Sequence, residues 1–70
     1  MDVRRLVGKN LRRLRLEKGW SQEELAFRSK LDRTYVSGVE RGVRNPTVLV
    51  LSRLGGALGV REAVLLERQQ

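Results

Sequence analysis

Apolar residues recur at helical spacing along this whole chain, and a series of helix starts and stops cuts that pattern into short pieces. Val3, Leu6, Val7, Leu11 and Leu14 fall on one stripe, with Lys9, Arg12 and Arg13 mostly off it. They predict a first helix over residues 3–17, closed before Gly19. Ser21-Gln22-Glu23-Glu24 has the form of a capping box, in which Ser21 accepts from the amide of residue 24 and Glu24 reaches back to the Ser21 amide. A second helix over 22–29 follows, with Leu25 and Ala26 inward and Trp20 packing as a staple against Leu25. Asp32 is the next N-cap, for a third helix over 33–41 that stops at Gly42. Asn45-Pro46 marks a turn, because the residue before proline is pushed out of the α region. Thr47 caps a fourth helix over 48–58, with Val48, Leu51, Leu54 and Leu58 at core spacing. A last short helix over 61–67 carries Leu65 and Leu66 and lacks an obvious N-cap. Gly55 and Gly56 fall inside the fourth helix, where each costs about 1 kcal/mol relative to Ala; a close helix–helix approach would account for them. No segment alternates as a strand does. The expected fold is all-α, a five-helix bundle containing a helix-turn-helix.

A chain of 70 residues is expected to form one domain, 1–70. At about 60 residues a domain buries only roughly 60% of its unfolded surface, so association is a common source of added stability. There is no Cys and no His. Disulfides, the usual zinc sites and the nucleophile–histidine pairs of many enzymes are therefore excluded. No phosphate loop or metal cluster is present either, so neither a metal, a cofactor nor an enzyme is expected. Lys and Arg total 15 against 8 Asp and Glu, for a formal charge of +7, and all the basic residues but Lys9, Lys18 and Lys30 are Arg. Arg makes bidentate contacts to phosphate and guanine, which points toward nucleic acid; a merely soluble basic surface is the alternative. No apolar run approaches the roughly 20 residues of a membrane span, and no signal-peptide pattern opens the chain. The expectation is a cytoplasmic protein without a membrane partner.

The second and third helices are separated only by Lys30-Leu31-Asp32, which is helix-turn-helix spacing. On the third helix, Val36 and Val39 should face the core. Arg33, Thr34, Ser37 and Gly38 then lie on the outer face, with Arg41 one turn further. Arg pairs with guanine O6 and N7, Thr or Ser meets a thymine methyl or a base edge, and Gly allows close approach. An ordinary solvated face is the alternative, and the capped helix before it and the net charge weigh toward the groove.

The runs Trp20-Ser21-Gln22-Glu23-Glu24-Leu25-Ala26, Leu31-Asp32-Arg33-Thr34-Tyr35-Val36-Ser37-Gly38-Val39-Glu40-Arg41-Gly42 and Arg44-Asn45-Pro46-Thr47 resemble the Cro/phage-repressor (XRE) helix-turn-helix family, whose fold is that of the lambda-repressor-like DNA-binding domain. The likeness runs from near Gly8 through Leu58-Gly59-Val60. Within the family the chain is most similar to controller proteins of restriction–modification systems. The resemblance implies a small transcriptional regulator that binds operator DNA ahead of its own gene and the endonuclease gene, activating or repressing according to occupancy, with RNA polymerase as a further partner. It implies base contacts from Arg33, Thr34 and Ser37. Gly38 stands at a base-reading position where many relatives carry a side chain, so readout there is absent or falls to backbone or water. Gln22 matches a glutamine that bonds phosphate and braces the recognition helix. Tyr35, Arg41, Arg44 and Asn45 flank the groove as phosphate contacts. Arg15 and Glu40 match a partly buried structural ion pair; the alternative for Arg15 is a phosphate contact.

Relatives often carry polar residues where this chain has Leu49, Val50 and Val64. The surplus apolar surface calls for cover. A homodimer joined through residues 48–67, with Leu49, Val50, Val64 and Leu65 at the contact, would supply it. It would also place two recognition helices about 34 Å apart on an operator with dyad symmetry. Scattered surface aliphatics are the bland alternative. Two rivals remain: an antitoxin or anti-repressor adaptor using this patch to hold a foreign chain, and a membrane-active basic peptide, against which the capped helices argue.

Overall fold

A side-chain oxygen begins each α-helix. In the computed structural model, which describes residues 2–68, α1 (Val3–Glu17) starts at Asp2, whose carboxylate accepts from the Arg4 amide at 2.9 Å. The Arg4 guanidinium bonds the same carboxylate and holds it below the ordinary carboxylate range. Ser21 Oγ accepts from the Glu24 amide at 3.0 Å to open α2 (Gln22–Ser29). Asp32 accepts from Thr34 at 2.8 Å to open α3 (Arg33–Glu40), and Thr47 from Val50 at 3.1 Å to open α4 (Val48–Leu58). These contacts satisfy amides that have no acceptor in the first helical turn. Only half of the expected capping box forms, because Glu24 turns instead to Arg28 Nε at 2.7 Å.

The expected fifth α-helix is a 3-10 helix, Glu62–Leu66, so the described residues hold four α-helices and no strand. Arg61 precedes it with no side-chain cap, and five residues are too few to repay α-helix nucleation. The third helix ends one residue early, with Arg41 as its C-cap. No helix is long and apolar enough to cross a membrane among the described residues.

α1 packs on α3 and the 3-10 helix, α2 on α3 and α4, and α4 on the 3-10 helix. Their shared core is Val7, Leu11, Leu25, Ala26, Val36, Val39, Leu51, Leu54, Leu58 and Leu65, with Trp20, Leu31, Tyr35 and Val50 packed at its margin. Val3 and Val48, expected on core faces, are exposed, Val48 at 78% because it leads the first turn of α4, ahead of the buried stretch that begins at Leu51. Leu65, expected on the dimer surface, is fully buried. It closes the core as the 3-10 helix folds back onto α1, and the buried Asn10 fixes that return by donating from Nδ2 to the carbonyls of Leu65 at 2.9 Å and Glu67 at 2.7 Å.

Two glycines set how closely these elements approach. A Cβ on Gly8 would stand 2.5 Å from the Val39 carbonyl oxygen and 2.6 Å from that of Glu40, so α1 crosses the end of α3 at backbone distance. Gly55 receives the returning chain in the same way, with the Val60 oxygen 2.7 Å from a hypothetical Cβ. Gly56 faces open space, and nothing in the structure explains it.

Candidate nucleic-acid interface

The core contacts of α3 decide which of its side chains are free. Val36 and Val39 are buried, which turns Arg33 and Thr34 outward at the first turn, both exposed, with Ser37 half-buried one turn on. Tyr35 is half-buried and leans on the core margin. Gly38 departs from expectation. It is buried, because the stem of Arg44 lies over it; a Cβ there would be 2.5 Å from Arg44 Cγ. The Gly38 carbonyl also accepts from the amides of Val43 at 3.0 Å and Arg44 at 3.2 Å. The segment after α3 is thus folded against the helix, with Arg41, Arg44 and Asn45 exposed along it.

Behind this edge lies a buried charged clamp. Arg15 Nε meets Glu40 Oε2 at 2.6 Å, and Arg15 Nη2 meets Oε1 at 3.0 Å. Arg15 Nη1 donates to the Trp20 carbonyl at 2.8 Å, and Gln22 Nε2 donates to Glu40 Oε1 at 3.1 Å. The Arg15 and Glu40 side chains are 10% and 3% exposed. Two charges held this far from water persist only when their hydrogen bonds are satisfied. Here they join α1, the start of α2 and the end of α3. Gln22 therefore braces α3 from within through its side-chain amide.

Ion pairing sorts the arginines in a way that residue type alone does not. Arg4, Arg13, Arg15 and Arg28 are paired with carboxylates, whereas Arg33, Arg41 and Arg44 have no ion pair with any described residue. Part of the uncompensated positive charge therefore borders α3, the rest being spread over residues such as Arg12, Arg53 and Arg61. Arg5 joins this border unannounced by the sequence: its stem lies 3.0 Å from where a Cβ on Gly42 would sit, beside the end of α3. Nothing local marks that proximity, which follows from the Gly8 crossing. No group of His, Cys, Asp or Glu able to hold a metal occurs among the described residues.

A separate apolar surface lies on α4 and the 3-10 helix. Leu49 is 65% exposed, Val48 more so, Leu66 is exposed, and Val50 and Val64 are half-buried. Leu65 does not belong to it. Phe27, on the outer side of α2, is 80% exposed and was not singled out by the sequence.

The helix-turn-helix family model HTH_3 matches residues 11–65. The chain is 53% identical over 66 residues to the uncharacterized HTH-type transcriptional regulator y4dJ of Sinorhizobium fredii, covering 94% of this chain and 86% of that protein. It is 43% identical over 67 residues to the control protein C.BamHI of Bacillus amyloliquefaciens, covering 94% and 83%. It superposes with a TM-score of 0.84 and 42% identity on the restriction–modification controller protein C.Esp1396I, over 93% of this chain and 86% of that one, in a crystal structure of the C.Esp1396I tetramer with its natural 35 base-pair operator.

Proposed function

This chain belongs to the XRE-type helix-turn-helix family, and from that premise we propose that it is a sequence-specific DNA-binding transcriptional regulator of the restriction–modification controller type. The observation that carries the proposal is the α3 edge. It presents Arg33, Thr34 and Ser37 outward, bordered by unpaired Arg41 and Arg44, on a helix braced by the Arg15–Glu40–Gln22 clamp. Rigid placement matters because a base-reading side chain discriminates only when its position is fixed relative to the phosphates that anchor the protein.

Arg33, Thr34 and Ser37 read base edges in the major groove. Gln22, Tyr35, Arg41, Arg44 and Asn45 hold the phosphates on either side. The protein binds as a homodimer through Leu49, Val50 and Val64, to which the exposed Val48 and Leu66 add area. Leu65 acts from behind as a core residue. The two-fold axis sets the recognition helices about one DNA turn apart, so the operator carries dyad symmetry.

Selection of bound duplexes from a random pool tests this directly. Two half-sites related by a dyad are expected, together with affinity that falls steeply as salt rises through counterion release. Arg33→Ala should lose about 1–3 kcal/mol on the selected duplex and far less on random DNA. Equal losses on both would remove Arg33 from base readout. A protein that stays monomeric at every concentration and recovers no preferred duplex would overturn the proposal and leave the apolar surface to a foreign chain.

A further inference from the structure

The space that a side chain at position 38 would fill is already taken. All three of the nearest atoms to a hypothetical Gly38 Cβ belong to Arg44: Cγ at 2.5 Å, Nε at 3.4 Å and Cδ at 3.5 Å. Beyond its chain neighbours and the backbone of its own helix, no other residue is that near. The absence of a Cβ therefore serves one neighbour, and that neighbour is a cation. Gly38 has no positive φ that would demand glycine, and glycine is less favourable than alanine inside a helix. Within the protein itself, steric room for Arg44 is the reason left for it.

The rest of the surroundings act on the same side chain. The amides of Val43 and Arg44 both donate to the Gly38 carbonyl, which fixes the Arg44 backbone against α3. On the other side, the guanidinium carbon lies 6.0 Å from the Tyr35 ring centroid, at the outer limit of a cation–π contact. Arg44 makes no ion pair with another described residue. Its stem is held while its charge stays unneutralised, and a cation set in advance gives up less rotamer freedom when it meets a partner.

We propose that Gly38 is a positioning residue for DNA recognition: by lacking a Cβ it seats the stem of Arg44 in α3 and so presents the Arg44 guanidinium, between Gly38 and Tyr35, in a fixed place at the recognition edge. The proposal rests on DNA binding by that edge. It replaces the idea of an open Gly38 approached by the duplex: what meets DNA at this place is Arg44, and position 38 acts through it.

Gly38→Ala separates these roles, because alanine favours the helix yet evicts Arg44. The variant should unfold at the same temperature as the parent or higher, and should bind the duplex recovered from the random pool about tenfold more weakly per half-site, the scale of rotamer freedom regained by a released Arg. Its salt dependence should flatten by about one counterion per subunit. In an Arg44→Ala background, Gly38→Ala should add no further loss. Two results overturn the proposal: unchanged affinity in Gly38→Ala, or an equal loss in both backgrounds, which would mean that the methyl group blocks the duplex itself. A measurement without DNA stands apart from the binding assays. In the free parent protein, NMR should show contacts from the Gly38 Hα protons to the Arg44 Hγ protons, and their absence would also overturn it. If those contacts are present but no duplex is preferred, DNA binding by the edge has failed and with it the role assigned to the seated Arg44.

Discussion

Replacing Arg15 by Met should cost this protein a large part of its stability, and the clamp geometry shows why. Glu40 receives three donors, two from Arg15 and one from Gln22. After the substitution its carboxylate, on a side chain 3% exposed, keeps only the Gln22 bond, and the Trp20 carbonyl loses its donor as well. Breaking a buried pair from one side costs about 3–5 kcal/mol. A chain this small has about 4–10 kcal/mol in total at the usual stability per residue. Arg15→Met is therefore expected near about 4 kcal/mol. Glu40→Met should cost less, about 3 kcal/mol, because Arg15 retains the Trp20 carbonyl and its long stem lets the head group move toward water. The double variant should regain most of the loss, since two apolar side chains leave no buried charge unpaired. Urea unfolding followed by far-ultraviolet circular dichroism gives each value, at one fixed protein concentration because the proposed dimerisation would be linked to folding. Glu17→Gln, in the exposed Arg13–Glu17 pair, is the internal control and should cost under about 0.5 kcal/mol. The clamp account would be refuted by an Arg15→Met loss as small as that control, or by a double variant no more stable than the worse single one.

Asn10→Ala should destabilise by about 2 kcal/mol, because the carbonyls of Leu65 and Glu67 lose their shared donor. Hydrogen exchange should show the 3-10 helix freed before the rest of the domain; loss spread evenly over all helices would contradict that local role. Gly8→Ala should lose about 1–3 kcal/mol by thermal unfolding despite the better helix former, because its methyl group meets backbone that cannot rotate away. Gly56→Ala has nothing within 4 Å and should gain about 1 kcal/mol. Gains at both positions would show that propensity, not approach, governs them.

The boundaries of this fold are written locally. Ser21, Asp32 and Thr47 each bond an amide two or three residues along, so the starts of α2, α3 and α4 need no knowledge of the rest of the chain. The same is true of the spacing that turns Val36 and Val39 inward and leaves Arg33, Thr34 and Ser37 on the other side. Periodicity cannot tell which of several apolar residues at permitted spacing finds a partner, and there the chain's own pattern misleads. Val48 and Leu65 both sat at plausible positions, and they exchanged roles, core for surface and surface for core.

What only the tertiary structure decided is partnership across long separations. Asn10 and Leu65 lie 55 positions apart, and nothing in the sequence joined them; Arg15 and Glu40 lie 25 apart and were paired beforehand only through the family resemblance. A polar side chain reads as solvent-exposed in sequence until packing removes its water, at which point it must find a partner or be lost. Which arginines are neutralised and which remain free along α3, and why position 38 is empty of side chain, follow from where α1 crosses α3 and where the chain returns after it. Those crossings are set by the collective fit of side chains from every element, and no short stretch of residues carries that information alone.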